Sequence, residues 1–138
     1  DPALALRLLN LEPHHLLDGK EPDTPIIRDG TFLGALFESL TALTLRVHAQ
    51  ASEADVYHLR TKGGRQEVDF IIEHPNTTLA IETKLTPTVT NHDLRHLHWL
   101  RNTLPTNHNT TLAVITTGPE AYTRPDGIHI IPLALLAP

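Results

Sequence analysis

Apolar and polar positions recur with two different periods along this chain, and the changes of period mark its elements. Leu4, Leu6, Leu8, Leu9 and Leu11 follow Asp1, a candidate N-cap, and Pro2, which suits the first helical position. A short helix is predicted from Pro13 to Leu17, stopping at Asp18-Gly19, and Pro22, Pro25 and Gly30 mark a loop after it. Residues 1–30 therefore read as peripheral helices and loop. The longest helix is expected from Thr31, its cap, to about Ala49, with one broad apolar face carrying Leu33, Leu36, Phe37, Leu40, Leu43, Thr44 and Val47. Ala35, Ala42 and Leu45 lie off that face, so neighbours are expected on several sides. Gly34, one turn before Glu38 and without a side chain, permits close approach by a neighbour.

Beyond residue 54 the period drops to two. Strands are predicted at Asp55 to Thr61, Glu67 to Glu73 and Leu79 to Leu85, joined by Lys62-Gly63-Gly64-Arg65 and by a turn at Pro75-Asn76. Alternation in the second strand puts Val68, Phe70 and Ile72 on one face and Asp69 on the other. Helical spacing returns from Asn91 to about Thr103, with Leu94, Leu97 and Leu100 as the apolar stripe. Thr111 to Thr117 reads as a buried strand, Ile128 to Ile131 as a last one, and Pro132 to Leu136 as a closing helical turn. The order helix, three strands, helix, strand, strand predicts an α/β fold: a central mixed sheet flanked by helices, in a single domain with its core over residues 31–138.

Length agrees, because 138 residues are enough for one domain with a real core. The chain starts at Asp1 and contains no methionine, so it is expected to be a fragment of a longer protein. Absence of cysteine excludes disulfides and thiolate metal sites. No apolar run is long enough for a membrane span, and the opening residues lack the basic lead of a signal peptide, so a cytoplasmic domain without membrane contact is expected. A formal charge of −5 argues against an extended basic surface for nucleic acid, though not against a local basic patch. Arg60, Lys62 and Arg65 form such a cluster, either a solvated hairpin tip or a contact to phosphate backbone.

Candidate chemistry gathers around the second and third strands. Glu82 and Lys84 project to one side of their strand, and Asp69 is expected to face them from the next. Glu38 is the acid of the long helix. Carboxylate oxygens suit Mg²⁺ or Mn²⁺, held by one or two carboxylates plus water and substrate phosphate. Such an ion polarises a phosphoryl oxygen and acidifies water, while a lysine beside it orients the attacking water or stabilises charge on phosphorus. That combination would hydrolyse a phosphodiester. The same residues also fit an ordinary cross-strand salt bridge.

Four stretches carry a resemblance. Gly34-Ala35-Leu36-Phe37-Glu38, His58 to Gly64, Glu67-Val68-Asp69-Phe70 and Ala80-Ile81-Glu82-Thr83-Lys84 together resemble the C-terminal domain of a large group of predicted bacterial and archaeal AAA-type ATPases. That domain is similar to the PD-(D/E)XK nucleases, whose restriction-endonuclease-like αβββαβ core agrees with the element order above. The resemblance implies that Asp69 is the first acid, Glu82 the second, Lys84 the lysine and Glu38 the helix acid joining them. It implies Asp69, Glu82 and Glu38 as metal ligands, and Asp69, Glu82, Lys84 and Glu38 as the catalytic set. Val68 stands where the family name has proline. The implied partners are nucleic acid and an ATPase domain on the same polypeptide, and ATP would bind only in that missing N-terminal domain. The alternative is a catalytically inactive module of the same fold, binding nucleic acid or protein or joining ATPase subunits.

Three further features are read as structural. His92, His96 and His98 share a predicted helix, but no zincin glutamate follows His92, and they are expected to be solvated, like His14-His15. Thr116-Thr117-Gly118-Pro119 lacks the glycine spacing and lysine of a phosphate loop. Trp99 and the sparse aromatics offer no base-stacking platform.

Overall fold

Alternating apolar side chains beyond residue 54 require two covers, one for each face of a sheet, and the computed structural model supplies both. It describes residues 2–12, Leu16, 31–105 and 109–136. Helix α1 spans Pro2–Leu8 and the long helix α2 spans Thr31–Ala51. Strands β1 (Asp55–Arg60), β2 (Glu67–His74) and β3 (Thr77–Thr83) follow. Then come helix α3 (Arg95–Thr103), β4 (Thr110–Thr116), β5 (Tyr122–Thr123), β6 (His129–Pro132) and a 3₁₀ turn at Leu133–Leu135. Among the described residues the strands form one six-stranded sheet in the order β1-β2-β3-β4-β6-β5. β1, β2 and β3 are antiparallel, whereas β4 lies parallel to β3 and β6 lies parallel to β4. The β3-to-β4 connection runs through α3, as a parallel pair requires.

Successive residues of the central strands divide between two clusters, as the two-residue period demands. Ala80, Leu112 and Val114 pack under Leu94, Leu97 and Leu100 of the α3 segment. Ile81, Ala113 and Ile115 face the other way, against Leu45 and Phe37 of α2. Helices therefore flank both faces of a mixed sheet. Among the described residues no helix is long and apolar enough to cross a membrane.

β2 breaks the period, and that corrects one expectation. Val68 and Ile71 belong to the α3 cluster, while Phe70 and Ile72 sit with the α2 cluster, so Val68 does not share a face with Phe70. The register explains it: Tyr57 pairs with Ile71 but Leu59 pairs with Val68, so β2 advances three residues while β1 advances two. This is a β-bulge with its extra residue at Asp69-Phe70 opposite His58. Bulges bend a strand and re-aim side chains, and here the re-aimed residue is Asp69.

α2 also differs from its expected face. Leu36, Thr41, Leu45 and Ala49 are buried, whereas Leu40, Leu43 and Val47 of the expected stripe are exposed, Val47 by 62%. A helix apolar on several sides gives no single choice from periodicity, and Thr41 tolerates full burial because its hydroxyl donates to the Phe37 carbonyl at 2.9 Å. No described atom lies within 4 Å of where a Cβ on Gly34 would stand, so no described neighbour uses the approach that Gly34 permits. α3 begins at Arg95, four residues later than Asn91, because residues 91–94 form turns instead. The expected Pro13 to Leu17 helix, the loop to Gly30, His14-His15, and the Asp1 and Thr31 caps lie outside what is described.

Candidate active site

The β2–β3 ladder runs in register from His74–Thr77 to Phe70–Ile81. Past that pair the strands exchange a different bond. Thr83 N–H donates to Asp69 Oδ2 at 2.6 Å, and the Thr83 hydroxyl donates to the same oxygen at 2.8 Å. A carboxylate thus stands where a strand carbonyl would ordinarily accept. On its other side the bulge leaves the Asp69 carbonyl as partner to His58 Nδ1 at 3.1 Å. His58 Nε2 in turn lies 3.1 Å from Glu67 Oε1. Asp69 is therefore fixed through one carboxylate oxygen and its own backbone.

Glu82 is buried, with 2% of its surface exposed. Lys84 Nζ, two residues on, lies 3.3 Å from Glu82 Oε2. Glu82 Oε1 is buried and has no hydrogen-bond partner among the described residues. A charged carboxylate so placed is costly. Burial pushes the Glu82 carboxyl up to about 7, the nearby Asp69 adds to the rise, and Lys84 opposes it. Asp69 thus acts on the Glu82 carboxyl from the neighbouring strand.

Glu38 reaches the site from α2. With Asp69, His58, Tyr57 and Arg46 it lines a cleft of about 460 Å³. Burial raises its carboxyl above the usual range and Asp69 raises it further, while His58 and Lys84 pull it down. Asp69 and Lys84 thus act on both Glu38 and Glu82, whereas the cleft that Glu38 and Asp69 line includes neither Glu82 nor Lys84. The four are not gathered tightly: among the described residues no three histidine, aspartate or glutamate side chains are grouped closely enough to hold an ion.

The residues present nonetheless fit a hard divalent cation. Mg²⁺ is usually held by only one or two carboxylates, with water and substrate completing its shell. Each carboxylate here has one oxygen engaged by the protein, Oδ2 of Asp69 by Thr83 and Oε2 of Glu82 by Lys84. Glu82 Oε1 is the orphaned buried acceptor that a cation would satisfy.

Sequence reasoning missed several supporting groups. His96 is half-buried and engaged: its Nδ1 lies 2.7 Å from Gln66 Oε1, joining the start of α3 to the hairpin that leads into β2. Burial lowers its basicity, as do the charges of Arg95 and Lys84. Thr83 lies between Glu82 and Lys84, and its hydroxyl is the signal that the sequence carries. Gly118 matters for packing: a Cβ there would stand 2.9 Å from the Pro87 carbonyl, in the segment that follows Lys84. Thr117 N–H donates to Thr86 O at 3.2 Å across the same contact.

No curated protein matches this sequence. Residues 33–136 match a family described only as a domain of unknown function, DUF4143. That span includes Glu38, Asp69, Glu82 and Lys84 and covers most of the chain, which therefore belongs to the DUF4143 family.

Proposed function

We propose that this domain is a metal-dependent phosphodiester hydrolase of the nuclease type, built on a restriction-endonuclease-like core and carried C-terminal to an AAA-type ATPase on a longer polypeptide. The observation that carries the reading is Glu82: a carboxylate 2% exposed, with one oxygen on Lys84 and the other orphaned, beside a second carboxylate on the neighbouring strand. Burying an acid this way costs stability, and a structural salt bridge would do better at the surface. A site built to take up a cation explains the cost. The succession α2, β1, β2, β3, α3, β4, with β4 parallel to β3, supports the core assignment.

Asp69 and Glu82 would hold Mg²⁺ or Mn²⁺, with Glu38 in the outer shell. When bound, that ion supplies Lewis-acid polarisation of a phosphoryl oxygen and acidification of water. The remaining work falls to the chain. Thr83 fixes Asp69 through two donors, so its second oxygen keeps one orientation. Lys84, anchored on Glu82, presents an ammonium group that orients water and offsets charge building on phosphorus. Glu38, whose carboxyl burial and Asp69 hold above its usual range, would stand beside the ion as the helix acid of the site. ATP would act from the neighbouring domain.

The test is cleavage of single-stranded, double-stranded and branched DNA and RNA by the purified protein with Mn²⁺ or Mg²⁺. Wild-type protein is expected to cut at least one substrate, and Lys84→Ala and Asp69→Asn to lose at least about a hundredfold of that rate, the scale for removing a group that stabilises transition-state charge. Cutting at equal rates in Lys84→Ala would reject the reading. A second reading, a catalytically silent module that docks protein or joins ATPase subunits, draws support from the exposed Leu40, Leu43 and Val47 on α2.

A further inference from the structure

An arginine stands over this site with its charge uncompensated. Leu94 is fully buried in one cluster with Val68, which precedes Asp69, and Ala80, two residues before Glu82. The next residue, Arg95, is exposed at the start of α3, and its charge acts on the Glu82 carboxyl. The Gln66–His96 bond pins the same turn to the start of β2. Arg95 Nε donates to His96 Nε2 at 3.1 Å, and Arg95 Nη1 lies 2.9 Å from His92 Nε2. Its guanidinium is therefore held by imidazole nitrogens. Among the described residues no carboxylate comes within ion-pair distance of it.

The choice of holder matters. An arginine paired to a carboxylate, as Arg124 is to Asp126, has spent both charge and donors. One steadied by neutral acceptors keeps its full positive charge, a fixed orientation and unused N–H groups. Two imidazoles accept only while they are neutral at those nitrogens. His96 Nδ1 faces the Gln66 carbonyl oxygen, so the ring's proton sits on Nδ1 and Nε2 is left to accept from Arg95. Lys62 and Arg65 are exposed on the tip that leads to Gln66, the partner of His96. An acidic floor with a basic rim, in a chain of net charge −5, is the charge pattern of a site that grips a phosphate while a cation neutralises the floor.

We infer that Arg95 is the substrate-gripping residue of this site: its guanidinium, braced by His92 and His96, holds a backbone phosphate of a nucleic acid next to the phosphodiester lying at Asp69 and Glu82. The inference rests on the hydrolase reading of that site and adds to it the chemical class and entry side of the substrate. The influence of Arg95 on the Glu82 carboxyl, which it lowers, agrees with this placement.

Binding without cleavage tests it. Fluorescein-labelled 20-nucleotide single-stranded DNA, single-stranded RNA and duplex DNA are titrated with the purified protein in EDTA at two salt concentrations. Arg95→Ala is expected to bind whichever substrate the wild type prefers about tenfold more weakly and to reduce the salt slope by about one. Arg95→Lys, which keeps charge and loses the fork, is expected to fall between them. Arg101→Ala, on the same helix but bonded to the Asp126 carbonyl, is expected to bind like wild type. Unchanged melting of Arg95→Ala excludes misfolding, and a loss confined to affinity with an unchanged salt slope would overturn the phosphate contact. Equal binding by Arg95→Ala and wild type, with cleavage intact, would overturn the inference and leave the hydrolase standing. A wild type that neither binds nor cuts would overturn both.

Discussion

At the Pro75-Asn76 turn, β2 and β3 stay in register to their last pair, and Glu73, opposite Asp55 of β1, stands in water. At the other end of the same two strands the ladder stops at Phe70–Ile81, β2 carries an extra residue, and Glu82 is buried. Both ends place acids on neighbouring strands. At the exposed end two like charges face each other and solvent absorbs the repulsion. At the closed end Asp69 and Glu82 have no such relief, and the protein answers with Thr83, Lys84 and a carboxyl that holds its proton until about pH 7. Residue types do not separate the two ends, since both hold acids; burial does, and the proposed site is the end where burial makes an acid costly.

The largest expected effect breaks that contrast directly. Glu82's carboxyl is raised from 4.5 to about 7, so between those values the folded protein holds a proton that the unfolded chain has lost. Its stabilising contribution is complete below the unfolded value and disappears as pH rises through the folded one. Glu82→Gln should therefore match wild type near pH 4 and exceed it at pH 8 by up to about 3 kcal/mol. Denaturant unfolding in EDTA at both pH values measures this. No gain at pH 8 would mean that the burial of Glu82 is not costly.

Gly118→Ala comes next. Its new methyl would meet the Pro87 carbonyl 2.9 Å away, and backbone cannot swing aside as a flexible side chain can. A loss of about 2 kcal/mol is expected in the same unfolding experiment, by the scale of overpacking. Thr83→Val keeps the backbone N–H bond to Asp69 and removes the hydroxyl bond, so a loss of about 1 kcal/mol is expected, with Thr83→Ser close to wild type. The smallest effects belong to the open end. Glu73→Gln and Thr77→Val should stay within about 0.5 kcal/mol of wild type, as exposed positions do.

Much of this arrangement was legible in the sequence. The two periods of the apolar pattern place every long element to within a few residues, and the Gly63-Gly64 turn, with φ of 87° and 66°, is the conformation that two glycines advertise. Glu82 and Lys84 on one side follow from strand geometry, and they meet at 3.3 Å although β3 ends at Thr83 and not at the expected Leu85. What escaped reading has physical causes. A bulge adds a residue without changing composition, so Val68 was assigned to the wrong face. A helix apolar on several sides hides which leucines it buries, and exposed Leu40 and Leu43 look no different in sequence from buried Leu45. β5 has two residues, too few to show a period. The hold of His92 and His96 on Arg95 depends on where α3 starts, and its first turn begins later than the apolar stripe suggested.

The central claim is that the closed end of the β2–β3 pair exists to take up a divalent cation at Asp69 and Glu82. Mn²⁺ binding at pH 8, followed by electron paramagnetic resonance on the metal alone, tests it without any substrate. The account predicts a saturable site in the wild type that is lost in Asp69→Asn and Glu82→Gln and kept in Glu73→Gln. Absence of saturable binding, or binding that survives both site variants, would contradict it.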